Sequence, residues 1–343
     1  MEQRWTRRSV MAAGAAAAAL SACAHHPLAR PALGGVRRIR PELDELIAAD
    51  AVVEEIGDGY TWAEGPIWVR GHGFLLFNDV PGNTMYEWNE SSGVTRFMHP
   101  SGYAGTDTSF LREGGANGMN IDRSGRLLIA DSGNRCIARY DFGRRRREVL
   151  VDRFEGKRFN SPNDVITHRN GAIYFTDPPY GLAGIEASPL RETPWMGVYR
   201  LDPSGAIAMV DDKLSFPNGI AFSPDYGTLY VSCSDPRRPI IMAYSLDDGG
   251  VPTSSRVFFN AAPLMADDAP GLPDGMTIDY KGNLFASGPG GIMIISPDGV
   301  LLGMITAGAG RPIANCKFGE DGKTLFLTAQ HKVARVRTLT HWI

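Results

Sequence analysis

Pro217-Asn218-Gly219-Ile220-Ala221-Phe222 is one copy of a motif that recurs six times along this chain of 343 residues. Each copy sets an acidic or amide residue beside proline or a small residue, and a short apolar run and a Gly-centred turn follow. We name these six residues the anchors, and in chain order they are Glu64, Asn117, Asn163, Asn218, Asp274 and Asn315. Neighbouring anchors lie roughly 40–56 residues apart, which is the spacing of one propeller blade or another repeated unit. A radial repeat would bring all six anchors to one central point.

Short apolar or β-branched runs follow the motifs and are separated by turn signals. Leu127-Leu128-Ile129-Ala130 comes after Ser124-Gly125, and Ile173-Tyr174-Phe175-Thr176 comes after Asn170-Gly171. A turn signal followed by a short apolar run is typical of a β-hairpin. The 40 glycines and 23 prolines fit a chain with many turns. The sequence therefore predicts an all-β fold, a six-bladed β-propeller of four-stranded antiparallel blades, which leaves only short and protected strand edges.

The first 35 residues have the composition of an export signal followed by a tether. Arg7-Arg8 forms a twin-arginine start, and the apolar run over residues 10–20 is too short to span a bilayer. Leu20-Ser21-Ala22-Cys23 resembles a bacterial lipobox, which implies cleavage before Cys23 and a lipid anchor on its thiol. The alternative is an ordinary signal peptide that is cut nearby. We therefore predict a signal and tether over residues 1–35, a single propeller domain over residues 36–343, and export by the twin-arginine route to the periplasm.

Charge, hydrophobic content and cysteine context limit what the protein can bind and how it is held together. The formal net charge is −3, so no strongly basic face predicts binding to nucleic acid. After residue 35 the sequence has no apolar run long enough to span a membrane. Cys136, Cys233 and Cys316 lie in apolar, strand-like contexts and are expected to be buried free thiols, although one disulfide bridge stays open as an alternative.

Four of the anchors offer the oxygen ligands that hard cations prefer. Glu64 and Asp274 supply carboxylates, and Asn163 and Asn218 supply amide oxygens. A metal ion on the propeller axis would polarise a substrate carbonyl and lower the pKa of a bound water. A second interpretation is that Asn-Gly and Pro-Asn pairs merely form turns. Glu64 argues against it, because Glu is not a favoured turn residue and yet occupies the equivalent position.

The motifs resemble those of the gluconolactonase/regucalcin (senescence marker protein) family, from about residue 50 to residue 340. The segments that carry the resemblance are Trp62-Ala63-Glu64-Gly65-Pro66, Asn160-Ser161-Pro162-Asn163-Asp164-Val165, Phe175-Thr176-Asp177-Pro178, Phe216-Pro217-Asn218-Gly219 and Leu272-Pro273-Asp274-Gly275-Met276. The resemblance implies a six-bladed propeller that hydrolyses lactones or, in some members, phosphotriesters, with a divalent metal on the axis.

The resemblance also implies a role for individual residues. Glu64, Asn163, Asn218 and Asp274 would be the metal ligands, and Asp274 would also act as the catalytic base. Some members use three ligands, and the residue that matches Asn163 then contacts the substrate. Asn117 would bind substrate hydroxyls, whereas Asn315 keeps a structural role.

Several residues depart from the family pattern or stay open. Bacterial gluconolactonases tend to carry a histidine where this chain has Ala130-Asp131-Ser132-Gly133-Asn134. His331 is unusual in the last blade, and it is either an acid/base group at the rim or a surface or core histidine. His168 is expected to face solvent. Asp177 and Tyr180 either fix their loop or line the site.

The sequence therefore predicts a periplasmic, metal-dependent hydrolase of carboxylic ester bonds that opens a sugar-type lactone with a metal-activated water. One divalent ion is expected, with calcium favoured over zinc, magnesium, manganese or iron. One alternative is a phosphotriesterase-like or other ester hydrolase on the same site. The other is a non-catalytic propeller that binds a ligand or partner and is pinned by its metal.

Overall fold

The computed structural model describes residues 30–266, 269–308 and 310–342. Contacts divide the chain into Met1–Arg30, of which only Arg30 is described, and Pro31–Ile343. The twin-arginine motif and Cys23 lie outside the described residues, so export and lipid anchoring stay predictions. Among the described residues, no helix has the length and apolar character that a membrane crossing requires.

Three strands precede the blades. They are β1 (Ala32–Gly34), β2 (Val36–Arg38) and β3 (Val53–Asp58), and a 3₁₀ helix at Pro41–Glu45 lies between the last two. The strand β1 lies inside the segment that the sequence analysis sets aside as tether.

The other strands form six antiparallel blades in chain order, and the first strand of each blade lies innermost. Blade 1 contains β4 (Ala63–Val69), β5 (Phe74–Asp79), β6 (Thr84–Asn89) and β7 (Gly93–Met98). Blade 2 contains β8 (Met119–Ile121), β9 (Leu127–Asp131), β10 (Cys136–Asp141) and β11 (Arg146–Val151), and the hairpin β12 (Arg153–Phe154) and β13 (Lys157–Arg158) follows it. Blade 3 contains β14 (Val165–Thr167), β15 (Ile173–Asp177), β16 (Gly197–Leu201) and β17 (Ile207–Asp211), with a 3₁₀ helix at Ile185–Ala187.

The last three blades complete the ring. Blade 4 contains β18 (Pro217–Phe222), β19 (Thr228–Cys233), β20 (Ile240–Leu246) and β21 (Pro252–Asn260), and a 3₁₀ helix at Ala262–Leu264 follows. Blade 5 contains β22 (Met276–Ile278), β23 (Leu284–Gly288), β24 (Gly291–Ile295) and β25 (Leu301–Ile305). Blade 6 contains β26 (Asn315–Gly319), β27 (Thr324–Ala329) and β28 (Lys332–Arg337), and β3 is its fourth strand. The predicted all-β, six-bladed propeller is therefore confirmed.

The two ends of the chain close the ring together. The N-terminal strand β3 pairs antiparallel with the C-terminal strand β28, so blade 6 is built from both ends. The strand β1 then extends blade 6, and β2 extends blade 5, which gives each of these blades a fifth strand. Contacts between inner strands run from β4 around the ring and return from β26 to β4.

Apolar side chains pack between neighbouring blades. One cluster joins Leu76 of blade 1 to Ile129 of blade 2, and another joins Val198 of blade 3 to Val231 of blade 4. Burying each such side chain stabilises the fold by about 1.5–3 kcal/mol. The three described cysteines are buried free thiols, as predicted.

The glycines that follow the anchors are required by close approach of neighbouring blades. A Cβ atom on Gly219 would overlap the carbonyl of Asp274, and one on Gly275 would overlap the side chain of Asn315. Neither glycine has a positive φ, so turn formation does not explain them. The Asn-Gly and Asp-Gly pairs therefore mark the points where adjacent inner strands meet.

Candidate active site

All six anchors lie at the same end of the inner strands. Glu64, Asn218 and Asn315 lie within β4, β18 and β26. Asn117, Asn163 and Asp274 each lie two residues before β8, β14 and β22. The repeated motif thus places one polar side chain per blade at one end of the central axis.

Hydrogen bonds between blades hold the backbone of the anchors. The Thr176 hydroxyl donates to the carbonyl of Asn218 at 2.7 Å, and the Ser232 hydroxyl donates to the carbonyl of Asp274 at 2.8 Å. In each case a second strand donates to the anchor of the next blade. Rigid elements therefore present these side chains, as a preorganised site requires.

Asn315 is committed to its neighbours. Its Nδ2 donates to Oε2 of Glu64 at 3.2 Å, and its Oδ1 accepts from the backbone amide of Cys316 at 2.8 Å. The Gly65 amide also donates to Oε2 of Glu64, at 2.9 Å. Both bonds to Glu64 end on the same oxygen, so Oε1 is left for another partner.

The Asn218 amide has a fixed orientation. Its Nδ2 donates to the Ser234 hydroxyl at 3.0 Å, and that hydroxyl donates to the carbonyl of Pro273 at 2.6 Å. Since the amide nitrogen is held by Ser234, the Oδ1 atom is free to act as a ligand. Among the described residues we find no hydrogen-bond partner for the side chains of Asn163 and Asn117, which are both buried.

Three carboxylates from alternate blades come close together. Burial raises the pKa of Asp274 well above its ordinary value, and the nearby Glu64 and Asp164 charges raise it further. Burial likewise raises the pKa of Glu64, and Asp164 adds to this effect. Burial raises the pKa of Asp164 to about 6, although Lys317 lowers it. These residues belong to blades 1, 3 and 5, and each lies at the axial end of its inner strand or within two residues of it.

This donor set fits a hard divalent cation. Glu64 is only 4% exposed, and burying like charges together is costly unless a positive charge compensates them. Among the described residues, no group of three or more His, Cys, Asp or Glu side chains is arranged to hold a metal ion. The set is instead two carboxylates with amide oxygens, which suits calcium or a similar hard ion.

Asp177 and Tyr180 have different roles. Asp177 is fully buried, and its Oδ2 accepts from the backbone amide of Asn160 at 2.8 Å, so it fixes the segment before Asn163. The ring of Tyr180 stacks on Phe216, with centroids 5.4 Å apart. Burial raises the pKa of Tyr180, and the nearby Asp274 charge adds to this. Tyr180 therefore lies at the candidate site.

Neither histidine contributes to the axial cluster. His331 is exposed at the turn between β27 and β28, where its Nδ1 donates to the carbonyl of Tyr60 at 2.8 Å. The prediction that His168 faces solvent was wrong, because this residue is 1% exposed. The rings of Phe222 and Tyr226 pack against it, with centroids 5.1 and 5.2 Å away.

The sequence analysis missed two acidic residues near the axis. A glycine follows four of the anchors, whereas Asp164 follows the anchor Asn163. This departure from the repeat could have indicated a functional residue. Asp164 accepts hydrogen bonds from the amides of Val165 at 2.9 Å and Ile220 at 3.2 Å. Glu113 lies in the loop before Asn117 and has no counterpart in the repeat, so only the folded loop reveals it.

Comparisons with known proteins agree with this geometry. The family described as SMP-30/Gluconolactonase/LRE-like region matches residues 62–331. A gluconolactonase from Zymomonas mobilis subsp. mobilis is 47% identical over 310 residues, which cover 90% of this chain and 87% of that protein. A pentonolactonase from Haloferax volcanii is 28% identical over 271 residues, which cover 77% of this chain and 80% of that protein. The solved structure of a gluconolactonase from Xanthomonas campestris is 32% identical, with a TM-score of 0.76, and the match covers 90% of this chain and 98% of that chain.

Proposed function

Because the chain belongs to the SMP-30/Gluconolactonase/LRE-like family, we propose that it hydrolyses a sugar-type lactone with a divalent cation held at the propeller axis. The chain shares 47% of its residues with a gluconolactonase over most of both chains. It is therefore a lactone hydrolase, an enzyme that acts on a carboxylic ester bond. The observation that carries the metal proposal is the placement of Glu64, Asn163, Asn218 and Asp274 at the axial ends of four inner strands, with Oε1 of Glu64 and Oδ1 of Asn218 left without hydrogen-bond partners among the described residues. Such a cluster of buried acceptors needs a compensating positive charge.

Four anchors would hold the cation: Glu64 through its unpaired Oε1, Asn163 and Asn218 through their amide oxygens, and Asp274 through its carboxylate. The bound cation would supply Lewis-acid polarisation of the lactone carbonyl. Calcium is our first choice of ion, because every ligand is an oxygen and two of them are charged.

Asp274 is the group that would take a proton from the attacking water. Its raised pKa makes the ionised carboxylate a stronger base than an exposed aspartate would be. The water oxygen bonds to the lactone carbonyl carbon, the ring C–O bond breaks, and the ring oxygen takes up a proton, which yields the open hydroxy acid. Asn117, and Asn163 where it is not a ligand, would donate hydrogen bonds to the substrate.

A lactone panel with a pH indicator tests the proposal, since every turnover releases acid. We expect chelator-treated protein to lose its activity on aldonolactones and to regain it when calcium is added, above the spontaneous hydrolysis rate. Calorimetry of calcium added to metal-free protein is the independent measurement. We expect one site per chain, which Glu64→Gln weakens and the exposed Glu186→Gln leaves intact. Full activity after complete chelation would contradict the metal proposal, and inactivity on all lactones would contradict the function.

Export by the twin-arginine route and a lipid anchor at Cys23 are also proposals. Labelled palmitate fed to the producing bacterium should enter the wild-type protein and not the Cys23→Ser variant. If the wild-type protein is exported without label, the ordinary signal peptide is the correct interpretation.

A further inference from the structure

Two loops at the site end of the propeller are joined by backbone hydrogen bonds. The Arg112 amide donates to the carbonyl of Gly181 at 2.9 Å, and the Ala183 amide donates to the carbonyl of Phe110 at 2.9 Å. We name residues 110–113 and 180–183 the clasp. The first segment leads into the anchor Asn117, and the second follows β15 of blade 3. The clasp therefore joins the connection between blades 1 and 2 to the loop between the second and third strands of blade 3.

The clasp is fixed relative to the anchor Asn163. The Gly181 amide donates to the Ser161 hydroxyl at 2.8 Å, and that hydroxyl donates to the carbonyl of Pro178 at 2.6 Å. A Cβ atom on Gly181 would lie 2.8 Å from the Cβ of Ser161, which is closer than real contacts allow. Ser161 precedes Asn163 by two residues. Any group on the clasp thus keeps a set position relative to the site.

Glu113 is the acidic residue of the clasp. Its side chain is 12% exposed and lies 2.6 Å from the guanidinium of Arg112, which is half exposed. Burial raises the pKa of Glu113 to about 7, although Arg112 lowers it. The Glu113 charge in turn raises the pKa values of Glu64, Asp274 and Tyr180. The Glu113 backbone amide also donates to the carbonyl of Gly181 at 3.3 Å, which places Glu113 beside the segment that begins at Tyr180 and four residues before the anchor Asn117.

An aromatic pair forms the adjoining wall. Tyr180, at the start of the second clasp segment, stacks on Phe216 with an angle of 25° between the rings. Phe216 has a φ of 48°, an unfavourable value for a bulky residue. Its amide donates to Sδ of Met196 at 3.1 Å, and it lies two residues before Asn218. Such backbone strain persists where the surroundings require it, and it is typical of binding sites.

We propose that Glu113 is a specificity-determining residue that accepts hydrogen bonds from the ring hydroxyls of a polyhydroxylated lactone, while the Tyr180–Phe216 pair packs against the C–H face of that ring. This inference rests on the proposed lactonase function and names the substrate class of the same site. An ionised carboxylate only accepts hydrogen bonds, so hydroxyls satisfy it. An unsubstituted aliphatic lactone offers it no donor, so Glu113 then forms no hydrogen bond with the substrate and keeps only its ion pair with Arg112.

The test compares kcat/KM for D-glucono-1,5-lactone and for δ-valerolactone, which lacks the hydroxyls. For Glu113→Gln we expect a loss of roughly 10–100-fold on gluconolactone, mainly in KM, because a hydrogen bond to a charged group is lost. On δ-valerolactone we expect a change of about twofold or less, since no hydroxyl contacts Glu113. Glu186→Gln, at an exposed residue of the loop that carries the second clasp segment, is the matched control and should change neither value.

Binding supplies a readout that does not depend on turnover. D-glucono-1,5-lactam, which keeps the hydroxyls and resists hydrolysis, should bind more weakly to Glu113→Gln by the same factor, with an unchanged unfolding midpoint. If Glu113→Gln loses activity equally on both lactones, or on neither, the inference is overturned and the lactonase function stands. If the wild-type protein hydrolyses neither lactone, both the function and this inference are overturned.

Discussion

Two aspartates at the ends of one short strand, β22, have opposite environments. Asp279 follows the strand at the hairpin end, and its carboxylate accepts from the amides of Lys281 at 2.9 Å and Asn283 at 2.8 Å. It also accepts from the Asn283 side chain at 2.8 Å and from the Thr340 hydroxyl at 2.7 Å. Asp274 precedes the strand at the axial end, where the adjacent Gly275 amide donates to the carbonyl of Ala314 at 2.8 Å and the Glu64 and Asp164 charges raise the pKa of Asp274.

The contrast separates carboxylates that build the fold from those that serve the site. At the hairpin ends, aspartates meet an excess of backbone donors, as Asp122 does with the amides of Ser124 at 2.8 Å and Arg126 at 3.0 Å. At the axial end, acceptors outnumber donors, and this arrangement is stable only when a cation or a bound proton compensates the acidic charge. The same residue type is thus structural at one end of the inner strands and reactive at the other.

Replacing Asp274 should have the largest effect and tests the axial end directly. Asp274→Asn keeps the shape of the side chain and removes the base and one of the negative charges that would bind the cation. We expect kcat on gluconolactone to fall about 10³-fold or more, within the range for loss of a general base combined with a ligand. The unfolding midpoint of the metal-free protein should not fall, because repulsion with Glu64 and Asp164 is relieved. Wild-type turnover by this variant would show that Asp274 is not the base.

The matched change at the hairpin end should give the opposite result. Asp279→Ala leaves four buried or half-buried donors without their acceptor, and we expect a loss of roughly 2–4 kcal/mol in the free energy of unfolding. Activity per folded molecule should stay within about twofold of wild type, because the site lies at the other end of the strand. Urea unfolding and titration of active sites measure the two quantities separately. A large loss of kcat in the folded fraction would break the comparison.

The repeat explains why the axial end could be predicted from sequence. One polar residue per blade recurs with a spacing of one blade, and the motif therefore predicted both the propeller and the position of Glu64 and Asp274 at its centre. Turn formation was the alternative explanation for the Asn-Gly pairs, whereas these glycines allow close approach between blades at Gly219 and Gly275. The repeated Asn-Gly and Asp-Gly pairs did mark the inner strands. The physical reason for the glycine became clear only from its contact with the neighbouring inner strand.

Features that depend on contacts between distant segments were not predicted. The pairing of β3 with β28 joins the two ends of the chain, and no repeat marks the first partner. Glu113 reaches the site because two loops bond through backbone groups, which carry no sequence signature. His168 was expected in solvent because it lies at the approach to a hairpin, but Phe222 and Tyr226 of the next blade pack against it.

Two asparagines at the axial end can be assigned to cation or substrate by parallel variants. Asn163→Ala should weaken calcium binding by about tenfold if its oxygen is a ligand, a loss of about 1.4 kcal/mol. Asn117→Ala should leave calcium binding unchanged and raise KM on gluconolactone by a similar factor, since one substrate hydrogen bond is lost. Calorimetry and steady-state kinetics on both variants distinguish the roles. Unchanged calcium affinity in Asn163→Ala would make this residue a substrate contact.

The smallest expected effect is a pH dependence of stability that comes from the axial carboxylates. Burial raises the pKa of Glu64 to about 7, against about 4.3 in an unfolded chain. The folded, metal-free protein therefore holds a proton that the unfolded chain has released. The stability that this proton contributes is complete below about pH 4 and is lost as the pH rises through 7.

Glu64→Gln removes this titration and serves as the reference. In the presence of a chelator, we expect the unfolding midpoint of the wild type to drop relative to Glu64→Gln by a few degrees between pH 5 and pH 8. Added calcium should reverse the drop at pH 8, because an ionised Glu64 becomes a ligand and the bound ion stabilises the folded state. Parallel midpoint curves for the two proteins would mean that Glu64 is already compensated without a cation. The carboxylates at the axial end would then have enough hydrogen-bond donors, as those at the hairpin end do. The difference between Asp274 and Asp279 would then have another cause.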